Sequence, residues 1–274
     1  MLNKLALFFK KFPVIHKILS FIYNKFILNV TSGYYLKCAK YFITIYFPEK
    51  KHIKSYGFKK IKPFNTHGWR WGLGIDKAYR RYYKAVFDGK KCFVKVAKND
   101  ATIVNEIKIN SYLKDKYGGC DFTPNLVLTD NNFDKNTVMI ALEFVENLET
   151  FNIPQNIEEF DYICKSFLDI LQKLNDMDII HADVHKGNLM LKQNKVMLLD
   201  FGISKSVNVE NTVDYKARPG TFYRINGNTR TYNDAYSFVK MLEKMNVSEE
   251  FKKIESYKNI EKRCEDNSMT VEIL

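Results

Sequence analysis

The sequence predicts an α+β chain, with a small strand-rich first part that carries one helix and a mainly helical second part. Three observations predict it. Two β-prone runs, AYRRYYKAVF and KKCFVKVAK, flank Asp88-Gly89, a dipeptide suited to a two-residue hairpin. Residues 157–177, IEEFDYICKSFLDILQKLNDM, put Phe160, Ile163, Phe167, Ile170, Leu171 and Leu174 on one helical face. Short apolar runs after it, NLMLK and KVMLLDFG, each hand polar residues to their ends.

The whole-chain properties exclude several classes. With 274 residues, 46% of them hydrophobic and 27% charged, the chain can bury a sizeable core, so disorder is not expected. Its five cysteines (38, 92, 120, 164 and 264) are scattered without a CxxC pair. That pattern suits neither a zinc ribbon nor a disulfide framework and fits reduced thiols in a cytoplasm.

The net charge of +12 is concentrated. Residues 1–62 hold thirteen lysines and one acid, Glu49, while the rest of the chain carries equal numbers of basic and acidic groups. This basic amphipathic extension, residues 1–62, has Leu5–Phe9 as its longest apolar run, far short of a membrane span. It also lacks the small-residue cleavage site of a signal peptide. Two readings fit it: a segment for an anionic membrane surface or acidic partner, or a helical extension with solvated lysines. No aromatic-and-basic recognition pattern follows, so no nucleic acid is expected.

Beyond it the elements follow in order. Residues 66–98 read as strands around the Asp88-Gly89 turn, and 102–116 as a helix through Ile103, Ile107 and Leu113, stopped by Gly118-Gly119. TVMIALEFV, 137–145, reads as a buried strand, and the amphipathic helix 157–177 follows.

The polar loop HADVHKGN, 181–188, carries the chemistry. His181 and His185 would share a face only on a helix, and Gly187 with the strand-like NLML opposes one, which disfavours zinc. There is no GxSxG elbow for a nucleophilic serine. Asp183, Asn188 and Asp200 remain, oxygen donors that can converge on a hard cation and one hydroxyl.

HADVHKGNLML…VMLLDFG resembles the catalytic loop and metal-binding motif of the protein-kinase-like superfamily over roughly residues 66–245. The resemblance implies a bilobal fold: a small antiparallel β N-lobe with one helix, residues 63–145, and a truncated, mainly helical C-lobe, residues 146–274. It implies ATP with magnesium, or manganese in its place, with Asp183 taking the hydroxyl proton and Asn188 and Asp200 holding the metal. Gly72 and Gly74 of WGLG would cover the phosphates, Lys77 standing where a third glycine is expected. Lys95 would meet the α- and β-phosphates, with Lys98 as the alternative because Phe93 occupies a place that often holds a small residue. Glu106 would pair with that lysine or stay a solvated glutamate. Backbone groups of Glu143 and Val145 would meet adenine, GTFYR would face the acceptor, and Asp234 would brace the loop. No APE follows GTFYR.

His185 stands where protein kinases tend to have lysine, and DVHKGN is similar to the loop of bacterial lipopolysaccharide core heptose kinases. That resemblance implies phosphorylation of a sugar hydroxyl on an anionic glycolipid, by an enzyme peripheral to the inner membrane face. A small serine/threonine protein kinase is the alternative, and a membrane-associated pseudokinase scaffold a third reading.

Overall fold

The computed structural model describes residues 42–64, 80–98, 100–134, 137–216 and 220–272. The chain falls into two compact units, residues 1–89 and 90–274.

In the first unit, one turn of π-helix, Phe42–Tyr46, runs into helix α1, Phe47–Ser55. Strands β1, Lys59–Pro63, and β2, Arg80–Phe87, pair antiparallel. In KKIKP only Ile61 is buried, and β2 turns Arg81, Tyr83 and Ala85 inward, as the period of two requires. Glu49 of α1 compensates the buried Arg81 by ion pairing and also accepts from the Tyr83 hydroxyl. Asp88 and Gly89, at φ of 47° and 78°, have the left-handed geometry of the expected two-residue turn.

The second unit opens with β3, Lys90–Lys98, followed by helix α2, Ala101–Tyr117. Asp100 caps α2 by accepting from the Thr102 amide at 3.0 Å and its hydroxyl at 2.7 Å. Gly118, at φ 72°, ends it. Strands β4, Leu126–Asp134, and β5, Thr137–Glu143, pair antiparallel, and β5 pairs with β3 from Cys92↔Glu143 to Lys98↔Thr137. Ile103 and Ile107 of α2 pack with Ala97, Val138, Ile140 and Leu142.

After β6, Glu149–Thr150, comes the amphipathic helix α3, Ile157–Asp176, capped by Asn156. All six residues assigned to its apolar face are buried, and Cys164 joins them. The core continues through helices α4, Asp234–Lys244, α5, Glu249–Lys252, and α6, Glu255–Lys262, with Phe167 stacked on Phe238 at 4.1 Å.

Short hairpins edge this core. Strand β7, Ile179–Ile180, pairs with β10, Lys205–Ser206, while β8, Leu189–Lys192, joins β6 to β9, Lys195–Leu198. A three-stranded sheet then forms from β11, Arg224–Asn226, β12, Thr229–Tyr232, and β13, Met269–Glu272. Sequence patterning does not predict this last sheet. Among the described residues no helix is long and apolar enough to cross a membrane.

Candidate active site

Strand β7 ends at Ile180 and releases the polar loop. His181 is fully buried, its ring edge-on to Phe201 at 4.7 Å and its Nε2 bonded to the Leu199 carbonyl at 3.0 Å. Its Nδ1 accepts from the Asp183 amide at 3.3 Å, so both ring nitrogens are spent on backbone. Ala182 has φ of 63°, a costly value for a residue with a Cβ. Asp234 at the start of α4 holds that conformation: its carboxylate accepts from the His181 and Ala182 amides at 2.8 and 2.9 Å.

Asp183 emerges from this bracing with its side chain one-quarter exposed. Oδ2 accepts from the Asn188 amide nitrogen at 3.0 Å and lies 3.6 Å from His185 Nε2. Oδ1 accepts from the Thr221 amide and hydroxyl, at 3.2 and 3.0 Å. Burial alone pushes the Asp183 carboxyl up, but the hydrogen bond from the His185 ring, the electrostatic influence of the two imidazoles and the Thr221 hydroxyl outweigh it. The group therefore titrates below the ordinary carboxylate range. Gly220 permits the Thr221 contact, because a Cβ there would fall 2.1 Å from the Ala182 carbonyl oxygen.

A second set lies on β3 and α2. Lys95 is buried and donates to both oxygens of buried Glu106, at 2.7 and 2.8 Å. Its Nζ is 3.9 Å from Asp200 Oδ1, and the Asp200 side chain is partly open to solvent. The lysine thus links the helix carboxylate to the DFG aspartate. Lys98, the alternative, is exposed and paired in the ladder opposite Thr137. Gly202 allows α2 to approach, since a Cβ would meet Thr102 Cβ at 3.2 Å and Asp200 Oδ1 at 2.9 Å. Asn105 fastens the same segment by donating to the Ser204 carbonyl at 2.8 Å.

The donor chemistry fits a hard divalent cation. Asn188 spends its amide nitrogen on Asp183, which leaves its oxygen as a metal donor near that carboxylate; Asp200 supplies oxygen only. At the end of β5, the Glu143 amide is taken by the Asn125 carbonyl at 2.8 Å, so only its carbonyl suits an adenine donor. A cleft of about 450 Å³ borders Glu143 and Val145, yet none of Lys95, Asp183, Asn188 or Asp200 lines it. Gly72 and Gly74 lie outside the described residues.

Sequence reasoning did not find the contact of Thr221 with Asp183, nor the tether of Asn105. GTFYR marked the first only as a segment, and an asparagine beside Glu106 is a weak signal for the second.

Comparisons with known proteins agree on the broad class. A family profile described as the protein kinase domain matches residues 75–264, more than half of the chain. The chain is similar to serine/threonine-protein kinase 10 of Danio rerio, 29% identical over 138 residues, covering 47% of this chain and 14% of that protein. It is also similar to the probable serine/threonine-protein kinase mkcE of Dictyostelium discoideum, 32% identical over 123 residues, covering 42% of this chain and 16% of that protein. The matched segments thus span less than a fifth of either relative. With its antiparallel strands, helix-borne glutamate and DFG segment, the chain belongs to the protein kinase domain family, whose members are phosphotransferases that use ATP and a divalent metal.

Proposed function

We propose that this chain transfers the γ-phosphoryl group of ATP to a serine or threonine hydroxyl of a protein. The observation that carries this reading is the pair of hydrogen bonds from Thr221 to Asp183 Oδ1, which joins an acceptor-facing segment to the carboxylate that would orient the hydroxyl. The two named serine/threonine kinases support the same acceptor class.

In this reading Asp183, held ionised by its neighbours, accepts the proton of the acceptor hydroxyl as its oxygen bonds to phosphorus and ADP leaves. Lys95 meets the α- and β-phosphates, and Glu106 keeps its ammonium aimed and charged. Asn188 and Asp200 would hold magnesium or manganese, which neutralises phosphate charge. The Glu143 carbonyl and Val145 backbone would receive adenine.

A second reading, transfer to a sugar hydroxyl of a lipopolysaccharide-type glycolipid, draws on His185. That residue stands two positions after Asp183, with its Nδ1 accepting from the Gly187 amide at 2.9 Å. Neither named relative carries that acceptor. The test is radiolabelled ATP with each metal, offered with casein and with dephosphorylated core glycan, and Asp183→Asn as control. Phosphoserine or phosphothreonine is expected. Label on glycan alone would replace the first reading with the second, and absence of both nucleotide binding and turnover would favour a scaffold.

A further inference from the structure

His185 shares its loop with Asp183, and the backbone around it holds its ring in one setting. The His185 carbonyl accepts from the Asn188 and Leu189 amides, both at 2.9 Å, which closes a tight turn over residues 185–189. Within that turn the Gly187 amide donates to His185 Nδ1 at 2.9 Å. A ring nitrogen accepts only while it is unprotonated, so this bond places the ring proton on Nε2. Nε2 is the atom that faces Asp183 Oδ2, at 3.6 Å.

Gly187 makes this setting possible by giving room, not backbone freedom. Its φ is not in the left-handed region, but a Cβ there would fall 2.7 Å from His185 Cε1 and 3.1 Å from Nδ1. The imidazole thus lies where a side chain at 187 would begin. The ring is also the movable partner in that clash, so a methyl group at 187 would swing it away from Asp183 rather than unfold the turn.

The other donors to Asp183 differ in kind. Thr221 reaches Oδ1 from a distant segment, and Asn188 reaches Oδ2 with the amide whose oxygen suits the metal. His185 faces Oδ2 from within the loop. The contact is long for a hydrogen bond, so its N–H can align the carboxylate without saturating that oxygen.

We infer that His185 is a positioning residue for phosphotransfer: its Nε2–H, aimed by the Gly187 amide, holds the Asp183 carboxylate in the orientation that receives the acceptor hydroxyl. This rests on Asp183 as the base of the proposed reaction and applies to either acceptor class.

The test compares initial rates of the full chain with ATP and casein or dephosphorylated core glycan, whichever wild type labels. His185→Ala should lower kcat by about tenfold, as loss of one bond to a charged group would, with KM for ATP unchanged. His185→Gln, whose amide nitrogen reaches the place of Nε2, should recover most of that loss. Gly187→Ala should lower kcat as His185→Ala does, and in the His185→Ala background it should add nothing further. Heteronuclear NMR of the histidine side chains at about pH 8, above the ordinary imidazole range, reads the geometry without turnover. The His185 signals, assigned by their loss in His185→Ala, should show the proton on Nε2 and should shift in Gly187→Ala. A proton on Nδ1, a glutamine variant as poor as alanine, or a Gly187→Ala effect that survives His185→Ala would each overturn the inference. So would a raised KM for ATP at unchanged kcat, which would put the ring on nucleotide. Wild type without turnover on either acceptor would overturn the proposed function and the role of His185 with it, whereas wild-type turnover unchanged by both alanine variants would overturn only the latter.

Discussion

Asp183 and Asp234 belong to one constellation, yet their surroundings push them in opposite directions. Asp234 is buried and gives both oxygens to backbone amides; its desolvation pushes the carboxyl up against the electrostatic influence of the His181 ring and those amide bonds. Asp183 also loses water, but the His185 ring, His181 and Thr221 hold its carboxyl down. The difference teaches what separates a brace from a reacting group. A brace has its acceptor capacity filled by parts of the chain that never leave. The proposed base, Asp183, is held mostly by side chains, with one backbone amide from Thr221, and keeps an opening to solvent, here one-quarter of its side chain.

The largest effect should come from breaking the reacting half alone. Asp183→Asn keeps the shape and removes the proposed base, so turnover should fall by about 100-fold or more, with thermal melting and nucleotide affinity near wild type. Asp234→Ala breaks the other half. It strands two buried amides at roughly 1–3 kcal/mol each, and melting should fall by several degrees together with turnover. Asp234→Asn, which keeps one acceptor oxygen, should lie between. If Asp183→Asn destabilised the fold as much as Asp234→Ala, the division between brace and base would fail. Differential scanning fluorimetry beside a kinase assay reads both quantities.

What the sequence made legible follows the same division between local and distant. Asp183, Asn188 and Asp200 are separated by a fixed loop and one hairpin, so spacing alone suggested that they converge. Lys95 and Glu106 are only eleven residues apart, which made their pairing look strained on paper. The chain manages it because Asp100 caps α2 directly after β3, so Glu106 meets the strand in the second turn of the helix. The contact of Thr221 with Asp183 spans 38 residues. Strand β13 pairs with β12 across a similar interval, Thr231 opposite Thr270. Neither leaves a local period to read. The β11–β12 hairpin did carry a turn signal, Gly227-Asn228, but its strands are short and polar. The glycines show a related limit: Gly220 and Gly202 are explained by what a Cβ would strike, and only coordinates supply that.

A smaller effect should come from Thr221, which touches the proposed base without itself reacting. Thr221→Ala removes the hydroxyl bond and keeps the amide bond to Oδ1. A hydrogen bond to a charged group contributes about 1.5–3 kcal/mol, so turnover should fall by about tenfold or somewhat more, with melting unchanged. Thr221→Ser should restore most of it. Recovery with serine would assign the effect to the hydroxyl; a serine variant as poor as alanine would assign it to the methyl group and packing.

Asp121 extends the comparison to a third aspartate, and the smallest effect. It sits half-exposed between Lys195 and Lys173, at 2.6 and 2.9 Å. The hydrogen bond from Lys195 holds its carboxyl below the ordinary range, against the desolvation of partial burial and with help from Lys173. Exposed pairs of this kind contribute only about 0.2–1 kcal/mol because water and salt screen them. Asp121→Asn should therefore lower melting by no more than about 2–4 °C at neutral pH. A depressed carboxyl stabilises the fold above its unfolded value, near 4, and loses that contribution as pH falls through the folded value. The melting gap between wild type and Asp121→Asn should thus hold steady from neutral pH to about 5 and close below about 4. High salt should shrink it at every pH. A gap that persisted in acid would mean that the asparagine disturbs packing rather than charge. The three aspartates would then differ only in burial, and not, as their partners indicate, in what each carboxylate is held by.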